Sequence, residues 1–205
     1  MLAALACASC GSLPKTNYYT LRVPPPPPAN DPKTTFALGV EHFRAAETLR
    51  DDRIVFYESP TQLNFYVYHR WSTDPATMLT EATARWLQDS GVFTRVLLLP
   101  SREPVDYVLK GRLYNFEEVD YEGGGKGRVS LELTLVRSRD RQVVWSAARL
   151  AERDAQGKGV PAVVDALNAS SEHLLREVLP ALTAEVERAF KESQTHPQEE
   201  KRKPE

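Results

Sequence analysis

After its tenth residue the 205-residue chain has no cysteine, since both of its cysteines, Cys7 and Cys10, precede that point. The body therefore folds without disulfides even in an oxidising compartment. A Cys7–Cys10 bridge would close a tiny loop at a chain end, with little unfolded-state entropy to remove. A Cys-x-x-Cys redox pair should open a helix inside a βαβ unit, whereas this pair precedes a proline-rich stretch. Metal binding would need nearby ligands, and the next histidine is His42. The chain also lacks positive charge in excess: the formal net charge is −2, which excludes the basic footprint of a nucleic-acid binder. No stretch approaches 18 consecutive apolar residues, so no segment reads as a membrane-spanning helix.

Catalytic signatures are missing as well. Neither Gly-x-Ser-x-Gly nor His-Glu-x-x-His occurs. Ser12-Leu13-Pro14-Lys15 spells Ser-x-x-Lys, but the serine stands near the N-terminus with a proline between, where the enzymes using that motif open a buried helix. In Glu122–Gly127 a glycine follows Lys126 where a P-loop needs Ser or Thr. The segment lies between two alternating strands, which makes it a hairpin turn. His42, His69, His173 and His196 are far apart in sequence. His42 and His69 could meet across strands, yet two ligands do not make a zinc site. The expectation is a chain with no catalytic residue, no metal and no cofactor.

What is present begins at the N-terminus. Residues 1–9 form a short apolar run whose small residues Ala8 and Ser9 precede Cys10, the pattern that ends a secretory signal. In its lipoprotein form such a signal is cut just before an acylated cysteine. Cys10 is the expected lipidation site, with Cys7, preceded by Ala6, as the runner-up. Cys7 stands three before Cys10, where leucine is usual, and no Lys or Arg precedes the run; a true start upstream of Met1, or a trimmed sequence, would explain the missing charge and the short apolar core. Several acyl chains, at about 0.8 kcal/mol per buried methylene, make a lasting tether.

Residues 1–9 are thus a signal remnant, and 10–34 an anchor and proline-rich linker. Within the linker, 17–23 (AsnTyrTyrThrLeuArgVal) should form a short edge strand. Pro24–Pro28 should take up extended polyproline II as a solvated spacer. A single domain then spans 35–190, followed by a disordered polar tail, 191–205. Strands are expected at 35–43 and, as a hairpin around SerProThr, at 53–58 and 62–69, with Leu63, Phe65 and Val67 sharing a face. Asp74 should cap a helix opened by Pro75 and closed by Gly91, with Leu79, Ala82, Trp86 and Leu87 along one side. A strand at 94–99 precedes three long alternating strands, carrying Val105, Tyr107, Leu109 and Leu113, then Val129 to Leu135, then Val143, Trp145 and Ala147. A helix over 160–190 carries the stripe Val163, Leu167, Leu174, Val178 and Leu182, and Pro180 should kink or split it. The fold class is α+β: a largely antiparallel β-sheet with two main helices packed on one face.

Four strings stand out in order: Cys10, Tyr18-Tyr19-Thr20-Leu21, Leu49-Arg50-Asp51-Asp52-Arg53-Ile54-Val55, and His69-Arg70-Trp71 before the first helix. With them the chain resembles, over roughly residues 10–190, the auxiliary lipoproteins of ABC-type transport systems, the group that includes the PqiC proteins of Gram-negative bacteria. The five-proline run, the Gly-rich hairpin and the polar tail depart from that pattern. The resemblance implies a non-catalytic, lipid-anchored periplasmic domain serving an MCE-class transporter, whose membrane-spanning proteins carry lipids between the two envelope membranes. ATP hydrolysis would fall to a separate subunit. Gly11 rather than Asp after Cys10 leaves no inner-membrane retention signal, which implies the periplasmic face of the outer membrane. The implied partners are the MCE-domain protein and its ABC transporter, the inner leaflet of the outer membrane, and further copies of the chain as a homo-oligomer. His69, Arg70 and Trp71 are candidate docking residues, because Arg and Trp are enriched at interface anchors; packing and capping are their alternative roles. Two other functions compete: a lipid carrier with a cavity between sheet and helices, and an activator or chaperone of another envelope complex.

Overall fold

Strict alternation of apolar side chains drives the three longest strands together, and the rest of the molecule is built on them. The computed structural model describes residues 14–26, 33–121 and 124–195. Its strands are β1 (Asn17–Tyr19), β2 (Ala37–Val40), β3 (Arg44–Ala45), β4 (Arg53–Ser59), β5 (Gln62–Trp71), β6 (Arg95–Leu98), β7 (Tyr107–Val119), β8 (Lys126–Arg137) and β9 (Val143–Asp154). Helix α1 (Pro75–Asp89) follows β5, helix α2 (Val160–Thr195) follows β9, and a 3-10 turn covers Glu47–Leu49.

β7, β8 and β9 pair antiparallel in succession, with Leu109 opposite Leu135 and Leu113 opposite Leu131. Leu109, Leu113, Leu131, Leu133 and Leu135 are all buried. A bulge after Leu113 shifts the alternation and brings Phe116 into the buried set. The other edge of β7 is shared by three short parallel partners in turn: β2 at Leu38↔Tyr107, β3 at Arg44↔Arg112 and β4 at Val55↔Glu117. β2 carries β6, while β4 carries β5, which carries β1 at the edge. The longer pairings are antiparallel and the short ones parallel. The result is a single-domain α+β fold.

α1 starts as its sequence dictates. Asp74 Oδ1 accepts from the Thr77 N–H at 2.9 Å, Pro75 occupies the first turn, and Gly91 takes the left-handed conformation, φ 65°, just past the end. Leu79, Trp86 and Leu87 are buried. α2 lays Val163, Leu167, Leu174, Val178 and Leu182, all buried, onto β8 and β9.

Four expectations need correction. Pro180 does not split α2, which runs on as one helix: the proline lies on the exposed face, where the unmet Arg176 carbonyl can turn to water, and Val178, Leu179 and Leu182 keep both flanks buried. The helix also runs to Thr195, five residues into the expected tail, because Phe190 packs edge-on against Phe36 at 5.5 Å and Glu187 pairs with Lys33 at 3.0 Å. Val67 is 67% exposed instead of sharing the face of Leu63 and Phe65. The register jumps from Arg53↔Arg70 to Val55↔Phe65, so extra residues bulge from β5 and re-aim that side chain. Val143 stands 62% exposed at the start of β9, and Val105 precedes β7. Residues 196–205 and both cysteines lie outside the described residues.

Candidate functional site

The three family-like strings that fall in the described residues meet in one place. β1 runs parallel to the end of β5, with Asn17 against His69, Tyr18 against Arg70 and Tyr19 against Trp71. The Ser72 N–H donates to the Tyr19 carbonyl at 2.6 Å. The Tyr19 hydroxyl lies 2.7 Å from His69 Nδ1, and the two rings stack at 5.7 Å. Partial burial pushes the Tyr19 hydroxyl above the ordinary tyrosine range. Beyond β1, the Leu21 N–H donates to Met78 Sδ of α1 at 3.4 Å and the Arg22 N–H to Asn168 Oδ1 of α2 at 2.9 Å. Residues 17–22 are thereby sewn to β5 and both helices. The chain is fixed again where the Lys33 N–H donates to the Gly91 carbonyl at 2.8 Å. The described part of the proline run, Pro24–Pro26, thus follows a segment already held to the body, and Pro27 and Pro28 lie outside the described residues.

The Leu49–Val55 string completes the seat. Leu49, Ile54 and Val55 are buried, while Asp52 faces outward to pair with Arg70 at 2.7 Å. Arg53 pairs with Asp51 at 2.7 Å and lies over the Phe65 ring at 3.9 Å. Of the three candidate docking residues, Trp71 is 1% exposed, edge-on to Phe116 at 5.2 Å, and offers a partner no surface. Its size and its position under the β1 seat make it core. His69 and Arg70 are half-buried, and both hold neighbouring chain in place. The two histidines that might have met take different partners: His42 Nε2 lies 2.8 Å from Thr77 Oγ1, and His69 Nδ1 lies against the Tyr19 hydroxyl.

Sequence reasoning passed over two carboxylates. Glu117 and Glu118 are both buried within β7. Glu118 accepts from the Tyr66 hydroxyl at 2.6 Å, and Glu117 accepts from Asn115 Nδ2 at 2.9 Å. Burial raises the pKa of both; the Tyr66 hydrogen bond opposes this at Glu118, and Asn115 and Arg128 oppose it at Glu117. Burial first, and then the bond to Glu118, push the Tyr66 hydroxyl well above its ordinary value. The available signal was a Glu-Glu pair breaking the alternation in which Lys110 and Arg112 take turns with apolar residues.

A carboxyl with a raised folded-state pKa carries more protons folded than unfolded across that interval. Its contribution is present below the ordinary value of 4.5 and is lost as pH rises through the raised one. Glu118→Gln keeps an acceptor for Tyr66 and is expected to match or exceed the parent's stability at pH 7. That advantage should fade as pH falls towards 4.5; urea melts of both proteins at pH 7 and pH 5 check it.

An open cleft of about 370 Å³ lies between β3 and the start of α1, lined by His42, Phe43, Arg44, Ala45, Arg50, Asp74 and Ala76. Asp74 is committed to the helix cap, and Arg50 pairs with Glu47 at 2.8 Å. Among the described residues no group of three His, Cys, Asp or Glu could hold a metal ion, and no helix is long and apolar enough to cross a membrane. The arrangement holds an N-terminal segment on a rigid body.

A family model described as "ABC-type transport auxiliary lipoprotein component" matches residues 19–179. A crystal structure of a protein from Xanthomonas campestris is similar at a TM-score of 0.75 and 22% identity, covering 84% of this chain and 98% of that one. A second crystal structure, of an uncharacterised protein, is similar at a TM-score of 0.64 and 16% identity, covering 82% and 99%. At those identities the likeness shows a shared fold. No curated protein matches the chain.

Proposed function

Because the chain belongs to the ABC-type transport auxiliary lipoprotein components, we propose that it is a non-catalytic adaptor of an MCE-class lipid transport system. Acyl chains on Cys10 hold it to the periplasmic face of the outer membrane, and it docks the transporter's periplasmic end there. The family match carries this reading. The seat of β1 supports it: strand pairing begins seven positions after Cys10, so a short segment joins lipid to body, spanning at most about 25 Å.

The carrier reading has less support. α2 lies directly on the sheet, so close that a Cβ added at Gly127 would come 2.5 Å from the Leu167 backbone nitrogen. No space for an acyl chain exists between β8 and α2 at that level.

Two measurements test the adaptor. Labelled palmitate is expected to enter the full chain, and Cys10→Ala is expected to abolish the label while Cys7→Ala keeps it. The tagged lipoprotein is expected to bring the MCE-domain subunit with it from envelope extracts. Label surviving in the Cys7→Ala, Cys10→Ala double variant would overturn the anchor, and absence of that subunit would overturn the adaptor.

A further inference from the structure

The open cleft between β3 and the start of α1 gathers hydrogen-bond donors and positive charge. Its volume of about 370 Å³ falls in the range of small-molecule sites. Two guanidinium groups line it, those of Arg44 and Arg50. Arg50 is fixed in place: its Nε donates to the Ala45 carbonyl at 3.2 Å and its Nη1 to Glu47 at 2.8 Å. Its Nη2 has no acceptor among the described residues. Arg44 is exposed and makes no hydrogen bond or ion pair among the described residues. Its cross-strand neighbour, Arg112, is itself a cation.

The nearby carboxylates are engaged. Asp74 is the one carboxylate in the lining, and Thr77 occupies both of its oxygens, with its N–H at 2.9 Å and its hydroxyl at 2.6 Å. Glu41 faces Lys110 at 3.7 Å. Glu47 has a side chain 85% exposed, where water screens most of its pull on Arg50. Because the Thr77 hydroxyl gives its hydrogen to Asp74, it can only accept from His42 Nε2, 2.8 Å away. His42 is thereby held against α1 through a nitrogen that carries a hydrogen.

One backbone donor is left over. Pro75 has no N–H, the Thr77 N–H goes to Asp74 Oδ1, and the Met78 N–H goes to the Asp74 carbonyl at 3.1 Å. The Ala76 N–H is then the first-turn amide of α1 with no acceptor among the described residues. Ala76 is 2% exposed and lines the cleft. A buried donor left unmet is costly. This one lies at the amino end of a helix, where the backbone dipoles favour negative charge.

Guanidinium forks and a free amide at a helix start are the groups that hold phosphate oxygens. Ala45 and Ala76 add apolar lining beside them, which suits the carbon substituent of an ester. We propose that this cleft binds a phosphate group, free or as the monoester head of an anionic lipid. Arg44 and Arg50 pair with its oxygens, and the Ala76 N–H donates to one of them. Such binding needs no transporter subunit, so it stands apart from the adaptor reading.

The test is isothermal titration calorimetry of the full-length lipoprotein in a neutral detergent, with inorganic phosphate and with sn-glycerol 3-phosphate as probes. Arg44→Ala and Arg50→Ala are each expected to weaken binding about tenfold, the share of one charged hydrogen bond. Arg44→Lys keeps the charge without the fork and should fall between. Arg44 has no partner in the described chain, so Arg44→Ala is expected to melt with the parent, and its lost binding then reads the cleft. Arg85→Ala removes an exposed arginine further along α1 and should bind as the parent does. Tighter binding of the glycerol ester assigns the site to a lipid head, and equal or weaker binding assigns it to the free anion. Absence of binding by either probe, parental affinity in both Arg44→Ala and Arg50→Ala, or an equal loss in Arg85→Ala would overturn the proposal. None of these results bears on recovery of the MCE-domain subunit, which tests the adaptor separately.

Discussion

Trp71→Ala is expected to lower the unfolding free energy by about 3–5 kcal/mol, the cost of emptying a large aromatic site that cannot collapse. The ring is almost wholly enclosed and meets Phe116 edge-on at 5.2 Å. Its backbone N–H donates to the Asp52 carbonyl at 2.7 Å, so the same residue fixes the turn into β4. Its indole Nε1 has no hydrogen-bond partner. Trp71→Phe therefore loses ring volume but also removes a buried donor that costs free energy unmet, and should be the milder change. Denaturant melts of the two variants beside the parent decide the matter. A docking role for Trp71 predicts the reverse pattern: an unchanged melt for Trp71→Ala and lost recovery of the partner subunit.

The second large effect is expected at Gly127. Its position in β8 faces α2 so closely that a Cβ would stand 2.5 Å from Leu167 N and 2.7 Å from Ala166 C. Those are backbone atoms of a long helix, which cannot rotate aside as a side chain would. The Gly127 carbonyl also accepts from Ser170 Oγ at 2.7 Å, which anchors the helix at this level. Gly127→Ala must either push α2 outward or bend β8, and is expected to destabilise the protein by about 3 kcal/mol, the upper part of the usual overpacking range. For a domain of this size that is a fall of about 6–12 °C in melting temperature. Gly111→Ala offers a comparison: the atoms nearest its added Cβ belong to the Phe43 ring, at 2.3 Å and beyond, and a side chain can shift where helix backbone cannot, so it should be the less costly substitution. Melting curves that place Gly127→Ala within a degree of the parent would show that α2 does not seat on β8 as described.

The strings that carry the family resemblance owe much of their character to folding. Asp52 reaches Arg70, Tyr19 reaches His69, and Trp71 fills the core beneath them. Their partners lie 18 and 50 positions away, which is why short-range spacing displayed the strings but not the contacts. Docking was expected of His69, Arg70 and Trp71 on residue type alone, and residue type does not distinguish an enclosed tryptophan from an exposed one.

By itself the sequence determined the local periodicities: alternation for β7, β8 and β9, the stripe of α2, and the Asp74–Pro75 start and Gly91 end of α1. These depend on neighbours within a few positions, where side-chain spacing and capping act directly. It also showed a lipoprotein-like N-terminus and the lack of catalytic strings. Tertiary structure alone decided that β2, β3 and β4 share one edge of β7 in parallel, that the bulge in β5 turns Val67 outward, that Trp71 is core, and that α2 continues through Pro180. Those outcomes turn on which distant surfaces cover one another, and burial against a remote partner outweighs the local preferences that a one-dimensional pattern records.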